Sequence, residues 1–254
     1  MESVTELQQE LDKFQQNIAK RIPGKILFTK IAGSHSYGLA TETSDVDFIV
    51  VYQAPLREVL STSQLTETVD GKDPDFQAHE IGKFCRLLLK GNPNIVECLF
   101  TERWTKAKTE WFGLPDMREQ FINQTTLKQY LGYAKGQLAR WQNGMALHSA
   151  GGKESPKWLT HLLRLSFDAQ HIAHGEPPQV LQFGSNLEFL QEIRRGVVTA
   201  EDVIARFSEI EAEIDGLRPW KIPEGADERL VNDWLFKLRM ADWKLKKSGD
   251  NLFR

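Results

Sequence analysis

Residues 33–52 read GSHSYGLATETSDVDFIVVY, and this stretch decides how the first half of the chain is interpreted. Its end, VDFIVVY at 46–52, is a continuous run of β-branched and aromatic residues, which predicts a strand buried on both faces. Just before the stretch, KILFTKIAG at 25–33 predicts another strand, whose apolar run stops at Gly33. A polar connection that contains glycine and serine joins the two. The sequence therefore predicts two strands linked by a polar turn.

Two carboxylates and a Gly-Ser pair flank that polar connection. Asp45 and Asp47 stand two residues apart at the start of an extended segment, so their side chains point to the same face. Such a pair repels itself unless a cation lies between the two groups, and Mg²⁺ prefers oxygen ligands. At Gly33 and Ser34, backbone amides and a hydroxyl can approach a phosphate. The pattern predicts phosphoryl chemistry; the alternative is a simple turn that Ser44 and Asp45 close.

The two halves of the chain differ in pattern. Residues 1–115 mix helical and extended segments, including a third candidate strand, DFQAHEI, at 75–81. From about Gln120 onward, helical periodicity dominates. It is carried by TLKQYLGYAKGQLARW, SPKWLTHLLRLSFDAQHIAHG, TAEDVIARFSEIEAEIDGL and ERLVNDWLFKLRMADWKLKK. We therefore predict an α+β fold: a catalytic domain over 1–115, followed by an all-helical domain over 116–254.

Composition limits the class of protein. The chain has 254 residues, of which 41% are hydrophobic and 26% charged, as in ordinary globular domains. Its net charge of -3 gives no sign of binding to nucleic acid through overall charge. Cys85 and Cys98 lie in apolar stretches, which predicts buried, reduced thiols. The chain starts without a signal-peptide pattern and lacks an apolar run of roughly 20 residues, so we expect a cytoplasmic protein that does not enter a membrane.

The combination of Gly-Ser, spacer and Asp-x-Asp on the following strand resembles the hallmark of the DNA polymerase beta-like nucleotidyltransferase superfamily. The opening GSHSYGLATETSDVDF is similar to that of the bacterial and phage predicted nucleotidyltransferases with a Gly-Ser-x-x-Tyr-Gly motif. The segment HEIGKFCRLLLKGNPNIVECLF resembles the same group, and LGYAKGQLARW and KWLTHLLRL do so more loosely. The resemblance covers residues 31–100 and, less closely, 128–166.

This resemblance implies a small mixed sheet with flanking helices, and a helical domain that closes the active-site cleft. It also implies two divalent ions, Mg²⁺ or Mn²⁺, and a nucleoside triphosphate as substrate. By position in the motif, Gly33 and Ser34 would hold the triphosphate. Asp45 and Asp47 would hold the metal ions and serve catalysis.

The superfamily takes a third carboxylate from a neighbouring strand. We assign it to Asp75, at the start of DFQAH, as a metal ligand and as the group that orients or deprotonates the nucleophile. Asp73 and Glu80 remain alternatives. His79 shares a strand face with Asp75 if this segment is extended, and a lone histidine there is typical of a structural role.

Several basic residues are candidates for nucleotide binding. Lys157, His161 and Arg164 follow each other at i, i+4 and i+7, so they share one helix face. Such a row suits a triphosphate if it faces a cleft, and the alternative is a solvated basic stripe. His35, next to the Gly-Ser pair, either contacts the substrate or makes local hydrogen bonds.

The residues and the resemblance together predict an enzyme that transfers a nucleoside monophosphate from an NTP to an acceptor hydroxyl and releases pyrophosphate. The acceptor could be an RNA or DNA end, a protein or a small molecule. Two alternatives remain open: a protein adenylyltransferase that acts as an antitoxin-type regulator, and a nucleotide-binding module that has lost turnover.

Overall fold

The computed structural model describes residues 4–62, 64–101, 103–148 and 156–247. Within these ranges the strands form one five-stranded sheet. They are β1 (Lys25–Ala32), β2 (Asp47–Gln53), β3 (Thr68–Gly71), β4 (Phe76–Glu80) and β5 (Thr105–Ala107). Their order is β3-β4-β2-β1-β5; β2 and β4 run parallel, and the other neighbours are antiparallel. The sheet is therefore mixed.

Helices flank the sheet and fill the second half of the chain. They are α1 (Val4–Ile18), α2 (Gly33–Ser36), α3 (Leu56–Val59), α4 (Ile81–Leu89), α5 (Pro93–Phe100), α6 (Gln124–His148), α7 (Pro156–Ala173), α8 (Gly184–Arg195), α9 (Ala200–Gly216) and α10 (Glu228–Lys247). Short 3₁₀ turns lie at Thr109–Trp111 and Pro115–Phe121. The predicted α+β class is confirmed, whereas α8 and the short strands β3 and β5 were not predicted.

Alternation along β2 decides which face of the sheet carries the site. Phe48 and Val50 point toward α1 and are buried there, and the Phe48 ring stacks on Phe14 at 3.8 Å between centroids. Since successive side chains point to opposite faces, Asp47 and Ile49 lie on the other face. The Asp47 carboxylate therefore lies on the face of the sheet opposite α1.

The helical half shares its core with the sheet. One buried apolar cluster joins Val51 and Phe84 of the first half to Leu127, Leu162 and Phe207 of the second. Residues on both sides of the predicted boundary at 115/116 thus belong to one cluster. The division into two domains stays a prediction. α10 returns to the sheet half, because Arg239 pairs with the buried Glu80 at 2.7 Å.

Two smaller predictions concern the thiols and the membrane. Cys85 and Cys98 are free and buried, as predicted, and burial raises the pKa of each thiol to about 12. Among the helices of the described ranges, none is both long and apolar enough to cross a bilayer. Cytoplasmic location remains a prediction.

Candidate active site

The single-turn helix α2, which follows β1 directly, begins at a glycine, and we call its first two residues, Gly33 and Ser34, the Gly-Ser turn. Ala32, the last residue of β1, pairs with Asp47, the first residue of β2, which brings the following turn against the Asp47 side chain. Gly33 has a φ of +64°, and a Cβ added there would overlap Asp47 Oδ2. The positive φ would strain any other residue here, and an added side chain would have to displace the Asp47 carboxylate. Gly33 therefore lets the backbone of the Gly-Ser turn approach the Asp47 carboxylate.

The parallel pairing of β2 with β4 brings a second carboxylate to the same place. Phe48 pairs with Phe76, and the Phe48 amide donates a hydrogen bond to the Asp75 carbonyl oxygen at 3.0 Å. Asp47 and Asp75 each stand one residue before these partners, so Asp47, the first residue of β2, lies beside Asp75, the residue just before β4. The two carboxylates line one cavity of about 380 Å³ together with Asp45.

The charges around Asp47 interact. Burial raises the pKa of Asp47, and the nearby Asp75 and Asp45 carboxylates raise it further, while Lys157 and His35 lower it. Asp47 is partly buried, whereas Asp45 and Asp75 are exposed. A cation between these groups would remove the repulsion that raises this pKa. The electrostatics therefore match a site that favours added positive charge.

The donor set suits hard divalent ions. Asp45, Asp47 and Asp75 offer carboxylate oxygens, which Mg²⁺ and Mn²⁺ prefer, along with room for water and phosphate ligands. In the described part of the chain, no three His, Cys, Asp or Glu side chains are already arranged as a metal cluster.

Glu80 and Asp73, the two alternatives for the third carboxylate, lie outside this cavity. Glu80 is buried, accepts hydrogen bonds from the amides of Gly82 at 2.7 Å and Ala54 at 3.2 Å, and pairs with Arg239. Glu80 therefore caps the N-terminus of α4 and holds α10 against the sheet half through Arg239. Asp73 is exposed in the turn between β3 and β4, where its φ is +54°. Neither lines the cavity that Asp45, Asp47 and Asp75 share.

The cavity also gathers residues from the helical half. Its other lining residues are Gly33, Ser34, Tyr37, Leu39, Thr41, Thr43, Ser44, Lys157, Thr160, His161 and Arg194. Of the predicted nucleotide-binding residues, Gly33, Ser34, Lys157 and His161 therefore come together around the carboxylates. The cleft therefore lies between α7 and the end of the sheet at which Asp47 and Asp75 stand.

His161 stands in this cleft as a neutral imidazole. Burial lowers its pKa to about 3, and the positive charges of Arg164, Lys157 and Arg194 act in the same direction. Its ring meets the Tyr37 ring edge-on, at 6.1 Å between centroids. A neutral histidine can donate one hydrogen bond and accept another, but it adds no charge to a bound phosphate.

Arg164 departs from both predicted alternatives, because it lies neither in the cleft row nor on a solvated stripe. Its side chain is only 2% exposed, and Nη1 contacts Glu97 at 2.7 Å and Asp168 at 3.0 Å. The guanidinium lies 3.8 Å from the centre of the Tyr37 ring, and the Tyr37 hydroxyl donates to Glu97 at 3.1 Å. Two buried carboxylates thus hold Arg164 beneath Tyr37, where it supports the turn that carries Gly33.

His35 also has a local partner. It is buried, and its Nε2 lies 3.2 Å from the Ser44 carbonyl oxygen. This contact ties the Gly-Ser turn to the loop before Asp45, as expected for the hydrogen-bonding alternative. Substrate contact by His35 stays a prediction.

Arg194 is a cleft residue that was not predicted from the sequence. It lies near the end of α8, donates a hydrogen bond to the Leu39 carbonyl and lines the same cavity as Lys157. The helix itself had a signal: apolar Leu187, Leu190 and Ile193 at a spacing of three, before a left-handed Gly196. Its position opposite the Gly-Ser turn depends on packing that this spacing does not contain.

Comparison with known proteins places this geometry in context. The chain is 29% identical over 123 residues to the "Uncharacterized 38.9 kDa protein in nrdC-mobD intergenic region" of Enterobacteria phage T4. The match covers 43% of this chain and 36% of the phage protein, so the chain spans about a third of that relative's length. A nucleotidyltransferase-like protein from Exiguobacterium sibiricum is similar over 92% of this chain and 80% of its own, with 14% identity and a TM-score of 0.32.

A family model covers most of the chain. The model described as the RNA repair pathway DNA polymerase beta family matches residues 5–214, which include both the carboxylates and the cleft residues of α7 and α8. The resemblance to DNA polymerase beta-like nucleotidyltransferases is confirmed by this match. The chain therefore belongs to the RNA repair pathway DNA polymerase beta family.

Proposed function

We propose that the protein is a metal-dependent nucleotidyltransferase that transfers a nucleoside monophosphate from an NTP to an acceptor hydroxyl and releases pyrophosphate. The observation that carries this proposal is the meeting of three carboxylates with a glycine turn. Asp47 lies against Gly33, and its pKa is raised by burial and then by the Asp75 and Asp45 carboxylates, which line the same cavity. Family membership supports nucleotidyl transfer in general.

Each group has a role in that reaction. Asp45, Asp47 and Asp75 would hold two Mg²⁺ or Mn²⁺ ions, which supply charge neutralisation at the reacting phosphate when bound. Gly33 and Ser34 place a backbone amide and a hydroxyl where a triphosphate can bind. Asp75 also orients the acceptor hydroxyl and takes its proton as the new phosphate ester forms.

Basic residues complete the phosphate side of the cleft. Lys157 and Arg194 line the same cavity as Ser34 and bring positive charge to it. They stabilise the negative charge that develops on the leaving pyrophosphate, an effect that grows in a partly enclosed site. His161, being neutral, is suited to a hydrogen bond with a sugar hydroxyl or a phosphate oxygen.

A radiolabel-transfer assay tests the proposal. Each of the four NTPs, labelled at the α-phosphate, is offered with Mg²⁺ or Mn²⁺ together with RNA, DNA or the protein itself as acceptor. The double variant Asp45→Ala, Asp47→Ala runs beside Asp73→Asn, a control that alters an exposed carboxylate outside the cavity. We expect transfer by the wild type and the control, and none by the double variant.

The labelled product separates the remaining alternatives. Label on a nucleic acid supports nucleotidyl transfer to a polynucleotide end, and label on protein supports an adenylyltransferase. NTP binding without transfer to any acceptor would support a binding module that has lost turnover. Equal transfer by the wild type and the double variant would refute the assignment of the carboxylates.

A further inference from the structure

A larger cavity opens from the carboxylates along β4. It has a volume of about 710 Å³ and begins at Asp47 and Asp75, which it shares with the catalytic cleft. Gln77 and His79 continue its floor, because residues two apart on a strand point to the same face. On this geometry, the cavity extends from the carboxylate proposed to take the acceptor's proton.

The two ends of the combined space differ in charge. The end at Ser34 is bordered by Lys157 and Arg194, which suit a triphosphate. Asp47 and Asp75 line both cavities; apart from them, the first end has one carboxylate, Asp45, against its two cations, whereas the described lining of the second has Asp70 and Lys72, whose charges balance. Phosphate groups are therefore favoured at the first end, and an uncharged group is favoured at the second.

The larger cavity has the surfaces that a flat, polar-edged ring requires. Ile49, Leu87 and Ile95 give it apolar walls. His79 is only 5% exposed, and its Nδ1 has no hydrogen-bond partner in the described part of the chain. Burial lowers the pKa of His79, and the nearby positive charge of Lys83 lowers it further, so the imidazole is neutral. Apolar walls with a few fixed polar groups are typical of sites for small organic rings.

We propose that this cavity holds the terminal nucleoside of a single-stranded nucleic-acid acceptor, with its hydroxyl at Asp75 and its base beside Gln77 and His79. The proposal rests on the nucleotidyltransferase function proposed above. Four residues of strand separate Asp75 from His79, about 13 Å. A nucleoside hydrogen-bonded at both ends spans such a distance. A serine or threonine ends at its hydroxyl and has no ring to fill the space beyond.

Recognition of the base follows from the available side chains. Gln77 donates its amide to Asp70 at 3.0 Å, which leaves the amide oxygen of Gln77 able to accept from a base. The imidazole of His79 can add a donor or an acceptor, depending on its tautomer. These groups read base edges through hydrogen bonds, so the cavity discriminates between terminal bases.

Equilibrium binding without NTP tests the proposal. Fluorescence anisotropy is measured with short RNA and DNA oligonucleotides that differ only in the 3′-terminal base. The proteins are the wild type, His79→Phe, Gln77→Ala and the control His174→Phe, which changes an exposed histidine beyond the end of α7. Gln77 is exposed, so its replacement keeps the test valid if His79→Phe does not fold.

We expect the wild type to prefer one terminal base, and His79→Phe and Gln77→Ala to weaken that preference about tenfold, the loss expected for one hydrogen-bonded base contact. The control and the NTP affinity of both variants stay unchanged. The RNA and DNA arms show whether the cavity also reads the sugar.

Three results would overturn the proposal: unchanged base preference in both folded variants, loss of NTP affinity in place of oligonucleotide affinity, or transfer to protein by a wild type that binds no oligonucleotide. The last result leaves the proposed function intact. Base-selective binding that depends on His79, without NTP transfer to any acceptor, refutes the proposed function and retains the nucleoside site.

Discussion

Gly33 is subject to two separate constraints. Its φ of +64° lies where residues other than glycine are strained, and its α-carbon faces the Asp47 carboxylate. The first constraint concerns stability, and the second concerns the position of a proposed metal ligand. A single substitution therefore affects both.

We expect Gly33→Ala to lower the free energy of unfolding by about 1–2 kcal/mol and the transfer rate by about a hundredfold, since an added methyl displaces Asp47. Urea denaturation and steady-state kinetics measure the two effects. Gly216→Ala is the matched control, because a Cβ there meets no neighbour within 4 Å. Full activity of Gly33→Ala would show that Asp47 tolerates displacement.

Asp75 and Asp73 offer a second comparison two residues apart. Removing the charge of Asp75 takes away the proposed proton acceptor, so Asp75→Asn is expected to lower kcat by at least about a hundredfold. Asp73→Asn keeps a residue type that tolerates a positive φ and is expected to leave kcat near that of the wild type. The reverse order of the two rates would move the third carboxylate to Asp73.

His161 makes stability depend on pH. Its pKa is about 3 in the folded protein and 6.5 in a model peptide, so the unfolded chain binds the additional proton between these values. Stability is therefore lost as pH falls from about 6.5 toward 3, at about 1 kcal/mol per pH unit. We expect His161→Gln to reduce this slope in urea denaturation at several pH values, with His171→Gln as the control. Equal slopes for His161→Gln and the wild type would contradict this account.

The sequence predicted the placement of the carboxylates and of the glycine turn better than that of the basic residues. Asp47 and Gly33 belong to one short segment whose strand pattern fixes their positions. Arg164 faces the core because it pairs with Asp168 on its own helix and with Glu97, a residue 67 positions earlier that also accepts a hydrogen bond from Tyr37. Helical spacing carries no information about such a partner.

Among the elements, α10 and α4 meet through a buried ion pair. Arg239 contacts Glu80 at 2.7 Å, and Glu80 also caps the first turn of α4. Since the Glu80 side chain is 1% exposed, loss of Arg239 leaves a buried charge; the remaining hydrogen bonds to it among the described residues come from the amides of Gly82 and Ala54. This ion pair thus joins α10 to the start of α4.

We expect Arg239→Met to lower the free energy of unfolding by about 3–5 kcal/mol. The double variant Arg239→Met, Glu80→Gln should recover part of this loss, because it no longer buries an uncompensated charge. Lys13→Met, which breaks an exposed pair with Glu10, is the control and should change stability by less than about 0.5 kcal/mol. Denaturant titration measures all three. Equal losses in the single and double variants would exclude the ion pair as the cause.

Element length explains why the short strands β3 and β5 were missed, although it does not explain the miss of α8, which has 12 residues. β2 and the long helices α7, α9 and α10 carry enough residues for periodicity to show. At the start of α9, the Thr199 side chain accepts a hydrogen bond from the Asp202 amide and caps the helix. By contrast, β3 and β5 have four and three residues, too few for a pattern, and they are strands because they pair with β4 and β1.

Across the whole molecule, the apolar core does not stop at the predicted domain boundary. Buried residues of the sheet half, such as Val51 and Phe84, belong to one cluster with Leu127 and Leu162 of the helices. Separating the halves would expose both sides of this cluster to water. The molecule is therefore expected to unfold as one unit.

Expression of residues 1–115 alone tests this expectation. We expect the fragment to lack a cooperative thermal transition and to bind a dye that recognises exposed apolar surface. The full chain, melted under the same conditions, should show a single transition by circular dichroism and fluorescence. A cooperative melt of the fragment would instead support an independent catalytic domain.

The parallel pairing of β2 with β4 also governs which changes in chain length the cleft can accept. One residue inserted between Asp75 and Phe76 would turn the carboxylate toward α1, because each step along a strand reverses the side-chain direction. The connection between α3 and β3 lies before the paired segment, so residues can be gained or lost there while the pairing stays in place. Related proteins can therefore differ in the length of that connection, whereas the spacing from Asp75 into β4 has to be kept.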